Sequence, residues 1–147
     1  MITVLVADDH IFFQKSLQTM LEATGDIQVV ATASNGLEAV AQVSKHCPDV
    51  VVMDISMPLM DGLEATRQIQ KLCLYTRVVM LSILDQPEYV QRAISVGAVG
   101  YVLKEAIGKD LLAAIRALAK GKRYFSQKIA EIAERYISRR HNDSWAG

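Results

Sequence analysis

Short apolar runs alternate along this chain with segments of helical period. Ile2 to Ala7, Ile27 to Ala33, Val50 to Met53, Val78 to Leu81 and Gly100 to Leu103 read as strands. The intervening segments carry their apolar residues at helical spacing. In the first, Phe13, Leu17, Met20 and Leu21 fall at i, i+4, i+7 and i+8, one stripe to lay on a sheet. Asn35 to Glu38 and Asp61 to Glu64 have the spacing of capping boxes and mark the second and third helix starts. Strands alternating with helices in this way predict βαβ units and a parallel sheet.

The later segments differ in strength. Val90, Ala93, Ile94 and Gly97 make a weakly amphipathic fourth helix, with small residues inward, that is expected to pack lightly and to move. Leu111, Leu112, Ile115 and Leu118, flanked by Ala113, Ala114 and Ala117, make a fifth stripe wider than one sheet contact needs, so part of it is expected to meet a partner. After Gly121, Ser126 is placed to cap a last helix whose Ile129, Ile132, Ala133, Tyr136 and Ile137 form an apolar face needing cover. From Arg139 to Gly147 no periodicity continues, and a frayed tail is expected.

Composition narrows the class. At 147 residues, 51% hydrophobic and 22% charged, the chain suits one globular unit and excludes a disordered one. No apolar run approaches the roughly 20 residues a membrane span needs, and no signal-peptide pattern opens the chain, so a cytoplasmic location is expected. Net charge is zero, yet six Lys/Arg stand against three Asp/Glu from Gly121 onward and ten against thirteen before it. That tail excess reads as a solvated helix face, not as a nucleic-acid surface. Cys47 and Cys73 lie in no C-x-x-C arrangement and are expected to be buried free thiols.

The candidate chemistry collects at strand ends. Asp8 and Asp9 follow the first run, Asp54 ends the third and passes at once into Ile55-Ser56-Met57-Pro58-Leu59-Met60-Asp61-Gly62, Ser82 follows the fourth, and Lys104 follows the fifth. In an open α/β sheet these carboxyl ends are where ligands bind. Three carboxylates, a hydroxyl and an ammonium there can converge on one small anionic group and a divalent cation. Carboxylates are the hard oxygen ligands that Mg2+ selects, whereas His10, beside the acid pair, suits that ion poorly and reads as a helix-start residue. Met57 and Met60 read as apolar plugs, with Pro58 and Gly62 shaping the turn.

The paired acids, Asp54 with its trailing M-P-x-M-x-G, Ser82 and Lys104 together resemble the receiver domain of bacterial two-component response regulators. The resemblance covers Met1 to about Lys120. Gly121 to about Arg140 is similar to the linker of the NarL/FixJ (LuxR-type) branch, whose members usually continue into a helix-turn-helix. It implies a (βα)5 flavodoxin-like, doubly wound parallel sheet of order 2-1-3-4-5, a receiver at residues 1–120, and a linker helix and tail at 121–147 with no effector domain within the chain.

The resemblance also assigns roles. Asp54 would be the phosphoacceptor, charged by a sensor histidine kinase. Mg2+ would be held by Asp9, Asp54 and the Ser56 backbone carbonyl, with Asp8 acting through water. Lys104 would neutralise the phosphoryl oxygens and Ser82 would hydrogen-bond one of them. Tyr101 would change rotamer as Ser82 moves, reporting through the face of the fourth helix, fifth strand and fifth helix. On this reading the chain is a signalling domain that catalyses only its own phosphorylation and dephosphorylation. The partners it implies include a second copy of the chain, as a homodimer, and DNA would be reached only through an effector domain outside this chain.

Two positions depart from the common receiver pattern. Ile83 follows Ser82 where many receivers have a small residue, which would narrow access to the phosphoryl group. Glu105 follows Lys104 where many have proline, so a cis bond there would be non-prolyl and cost about 2.5 to 4 kcal/mol. The rival readings each lack a residue. A haloacid-dehalogenase phosphatase needs a second Asp two positions after the nucleophile, where Ser56 stands. A flavodoxin-type cofactor binder needs a phosphate-cradling loop after the first strand, where Asp8 and Asp9 repel phosphate. A receiver-like module that has lost phosphorylation would not need the intact acid, hydroxyl and lysine set. The alternative output is a stand-alone receiver acting by protein-protein interaction.

Overall fold

Each apolar run read as a strand is a strand in the computed structural model, which describes the backbone of residues 1–146 and the side chains of residues 1–142. The order is β1 (Ile2–Ala7), α1 (Ile11–Glu22), β2 (Ile27–Ala33), α2 (Gly36–His46), β3 (Val50–Asp54), α3 (Gly62–Leu72), β4 (Arg77–Ser82), α4 (Pro87–Ser95), β5 (Gly100–Leu103), α5 (Ile107–Ala119), β6 (Tyr124–Phe125) and α6 (Gln127–Ala146). A single 3-10 turn, Lys104–Ala106, joins β5 to α5. All strands pair in parallel in the order 2-1-3-4-5-6, so the five expected strands stand in the expected order and a sixth is added. Two residues carry no readable period, which is why β6 is invisible in the sequence.

Alternation along the strands divides the core. Val4, Val6, Val50, Val52, Val79 and Leu81 face α1 and α5, meeting Leu17, Leu21, Leu111, Ile115 and Leu118. Leu5, Val51, Met53, Val78, Met80 and Tyr101 face the other way, toward α2, α3, α4 and α6. The wide apolar stripe of α5 is therefore spent within the molecule: Leu111, Ala114, Ile115 and Leu118 are buried, Leu112 is half-buried and Ala113 alone lies open.

Both capping boxes form on one side and vary on the other. Asn35 accepts from the Glu38 amide at 2.8 Å, and Glu38 reaches back to Ser34 N, one residue earlier than expected. Asp61 accepts from the Glu64 amide at 2.9 Å, while the Glu64 carboxylate turns to Arg67. Ser126 does not cap α6 with its side chain. Its hydroxyl donates to Asp110 (2.9 Å) and accepts from Leu103 N (3.1 Å), tying β5 to α5.

The apolar face of α6 lies on the body of the protein. Ile129 and Ala133 are buried, and Ile132, Tyr136 and Ile137 pack half-buried on the same core as Val90, Ala93 and Ile94. The fourth helix is consequently covered and not lightly packed. Arg140 continues the contact by donating to the Ile94 carbonyl at 3.2 Å, and the helix runs on to Ala146 where fraying was expected from Arg139; Gly147 lies outside the described residues. Truncation after Lys120 is expected to cost about 3 to 5 kcal/mol, since one fully buried isoleucine contributes roughly 1.5 to 3. Urea unfolding of the truncated and full chains checks this, and coincident midpoints would refute it.

The cysteines overturn their reading as free thiols. Cys47 and Cys73 form a disulfide, S–S 2.04 Å, between the C-terminal ends of α2 and α3. They are 26 positions apart, and only the side-by-side packing of the two helices brings them together. Cys47 is exposed and Cys73 is buried.

Candidate functional site

The sheet brings the sequence-predicted residues together at its carboxyl edge. Asp8 is held first by backbone: its N–H donates to Ala33 O at 3.0 Å, and the buried Gln14 amide spans Asp8 O (3.1 Å) and Ala33 O (2.8 Å). Its side chain, 1% exposed, accepts from His10 N at 2.8 Å and from Lys104 Nζ at 3.2 Å. Asp9 stands beside it, more open, with Oδ1 buried and lacking a hydrogen-bond partner among the described residues. Asp54 lies across from the pair, 5% exposed, its Oδ1 accepting from Ser56 N at 3.3 Å and its Oδ2 lying 3.6 Å from Lys104 Nζ.

Burial pushes the Asp54 carboxyl up to about 6, Lys104 opposes this, and the nearby Asp8 and Asp9 charges add to it. Lys104 therefore divides its charge among carboxylates that otherwise repel. Phe13 lies under that ammonium, its ring centroid 4.6 Å from Nζ, a cation-π contact that the helical stripe did not announce.

His10 sits closer to this chemistry than its reading as a helix-start residue implied. It is the N-cap of α1 and makes no side-chain cap bond, yet Nδ1 lies 3.2 Å from Asp8 Oδ1 and 3.3 Å from Asp9 Oδ1. One ligand atom each from Asp8, Asp9, His10 and Asp54 falls within 4.8 Å of the others. The donor set is dominated by carboxylate oxygens, and Asp9 Oδ1, buried with His10 Nδ1 3.3 Å away and no hydrogen bond among the described residues, is the kind of atom a cation satisfies. Both observations fit a hard divalent ion such as Mg2+.

The fourth and fifth strands deliver the remaining groups. Ser82 Oγ, buried, accepts from Leu84 N at 3.1 Å, and Tyr101 OH donates to Leu84 O at 2.6 Å. Ser82 and Tyr101 thus hold the same loop, a link through Leu84 that pattern reading had no means to find. Burial pushes the Tyr101 hydroxyl up to about 12. Ile83, the residue after Ser82, is 78% exposed. The Lys104–Glu105 bond is trans, so no non-prolyl cis bond arises. Glu105 and Asp85 both pair with Lys128 of α6 at 3.3 Å, linking that helix to the loops after Ser82 and Lys104.

The loop after Asp54 is set by close backbone approach. Gly62 N donates to Ile55 O at 2.8 Å, and a Cβ on Gly62 would stand 2.0 Å from Asp54 O. Gly36 N donates to Met60 O at 2.9 Å, and a Cβ there would stand 2.2 Å from that oxygen. Leu59 carries the positive φ of the turn, +68°, with its side chain in solvent. Met57 is buried and Met60 half-buried beneath the loop, as plugs.

Residues 4–116 match the family model of the response regulator receiver domain. The chain belongs to this family. The receiver is 36% identical over 142 residues to the oxygen regulatory protein NreC of Staphylococcus haemolyticus, covering 95% of this chain and 65% of that protein. It superposes with a TM-score of 0.86 on a LuxR-family two-component response regulator from Aurantimonas sp. SI85-9A1, at 30% identity over 91% of this chain and 96% of that one. The signal receiver domain of a NarL response regulator from Mycobacterium tuberculosis gives 0.78 at 34% identity, over 82% and 98% of the two chains. The receiver thus spans 65% of the length of its staphylococcal relative. No described helix is long and apolar enough to cross a membrane.

Proposed function

We infer that Asp54 is the phosphoacceptor of this receiver. A sensor histidine kinase supplies the phosphoryl group: an Asp54 carboxylate oxygen bonds to phosphorus as the donor's phosphorus-nitrogen bond breaks, and the electron pair stays with the kinase imidazole. The observation that carries this is a buried carboxylate flanked by an acid pair on one side and a lysine on the other, with one acid oxygen making no hydrogen bond among the described residues. Asp9, Asp54 and the Ser56 carbonyl would hold Mg2+, with Asp8 behind through water. The ion would supply positive charge against the equatorial phosphoryl oxygens.

Lys104, 3.6 Å from Asp54 Oδ2, supplies the balancing charge from the turn that follows the fifth strand. Ser82 is the donor for a phosphoryl oxygen once its hydroxyl turns from Leu84 N. Because Tyr101 holds Leu84 O, that turn loosens the loop above α4 and lets Tyr101 change rotamer. Residues 1–120 act as the receiver, and 121–147 carry the change outward along α6. The output is transcriptional, through a helix-turn-helix reached beyond this segment in a cytoplasmic regulator.

Incubation with acetyl phosphate and Mg2+ is expected to add one phosphoryl group by intact mass, labile to hydroxylamine and absent from Asp54→Asn. Equal labelling of the Asn variant would refute the assignment.

A further inference from the structure

We propose that Cys47 and Cys73 form a reversible thiol-disulfide exchange site for low-molecular-weight thiols and disulfides, and that its state sets the freedom of the loop leaving Asp54. The link to that loop's function rests on the phosphoacceptor reading; the exchange site does not. Disulfides are uncommon in reducing compartments, and those that form there are usually transient and redox-sensing.

The geometry provides for both states. Cys47 is the exposed residue of the pair and Cys73 the buried one, so the Cys47 sulfur is the point of entry assigned to an incoming thiolate. It forms a mixed disulfide there and expels the Cys73 thiolate, which takes a proton. A second small thiolate attacks the small-molecule sulfur of that mixed disulfide and releases Cys47, which is protonated in turn. The protein gains two electrons and two protons, and two small thiols leave as their disulfide. Val43 O lies 3.5 Å from Cys73 Sγ, a contact while the sulfur is bonded and a waiting acceptor once it carries a proton.

The surrounding backbone is braced without the bond. Thr76 Oγ1 donates to Pro48 O at 2.6 Å, Arg77 N to Asp49 O at 3.0 Å, and Thr3 N to Asp49 Oδ2 at 2.9 Å. Reduction therefore frees the helix ends without opening the sheet.

Those helix ends belong to the two helices that hold the Asp54 loop. The N-terminal residue of α2, Gly36, donates to Met60 O, and that of α3, Gly62, donates to Ile55 O. One helix thus holds each end of residues 55–61. Between loop and bond, the helices share one apolar cluster through Ala39, Val43, Ala65 and Ile69. A covalent tie at one end of two packed rigid elements limits their relative tilt, and the loop at the other end is where that tilt is felt.

The experiment uses the full chain. After glutathione disulfide, alkylation and intact mass are expected to find no free thiol; after dithiothreitol, two; and reoxidation is expected to restore the first result with the fold retained. Two free thiols after glutathione disulfide would overturn the site, and so would a reduced form that unfolds. Amide exchange of Gly36 and Gly62 by NMR is expected to quicken by about tenfold on reduction. A Cys47→Ser, Cys73→Ser double variant should match the reduced protein under either condition. Unchanged exchange at both glycines would overturn the coupling. Acetyl phosphate labelling is expected to differ by about threefold between the two states. Absence of labelling in both would overturn the phosphoacceptor reading instead, with thiol and exchange results still deciding this one.

Discussion

In chelator at pH 7.5, Asp54→Asn is expected to be more stable than the parent by about 3 kcal/mol. The Asp54 carboxyl titrates near 6 in the folded protein against 3.8 as its ordinary value, because burial disfavours its charge. At 1.36 kcal/mol per pH unit that difference is worth about 3 kcal/mol. The folded pKa is the raised one, so the folded state binds the extra proton. Stability from this group is complete below about 4 and is lost as pH rises through about 6. The variant's advantage should accordingly vanish near pH 4 and reach its limit above pH 7. Mg2+ at about a hundred times its Kd returns about 2.7 kcal/mol to the parent and closes most of the gap. Melting curves from pH 4 to 8, with chelator and with Mg2+, decide it. A variant no more stable than the parent in chelator at pH 7.5 would show that the Asp54 charge is not disfavoured in the fold.

Gly62→Ala is expected to damage fold and site together. Its Cβ would lie 2.0 Å from the Asp54 carbonyl oxygen and 2.9 Å from the carbonyl carbon, so backbone must move on one side or the other. Overpacking of this kind costs about 3 kcal/mol. A displacement of Asp54 by a fraction of an ångström to an ångström is expected to slow labelling by up to about a hundredfold. Gly108→Ala is the internal control, since its Cβ would meet nothing within 4 Å and it sits within α5. That change should be neutral or stabilise by about 0.5 to 1 kcal/mol. Urea midpoints and phosphodonor labelling of both variants test the argument. Parental labelling by Gly62→Ala would mean that this close approach does not position the acceptor.

The same contrast explains how much of the site was legible. Asp8, Asp9, Asp54, Ser82 and Lys104 each end or follow an apolar run, and parallel strands bring all such ends to one edge whatever the details of packing. His10, Phe13 and Gln14 belong to the same neighbourhood but follow no spacing rule. Whether the Phe13 ring underlies the lysine, or the Gln14 amide bridges two carbonyls, is set by the angle at which α1 leaves its strand. Leu84 joins Ser82 to Tyr101 through its backbone, which carries no side-chain signature at all.

Local pattern by itself determined the βαβ alternation, the five strand positions, both helix caps at Asn35 and Asp61, the acid, hydroxyl and lysine set, and the apolar face of α6. These follow from periods of two and 3.6 and from which residues close a turn, properties of neighbours along the chain. Tertiary packing alone decided the rest. It paired Cys47 with Cys73, turned Ser126 from a cap into a tie between β5 and α5, added β6 at the sheet edge, and laid α6 over α4. Each depends on the distance between segments far apart in sequence, and that distance exists only after the sheet has chosen its order.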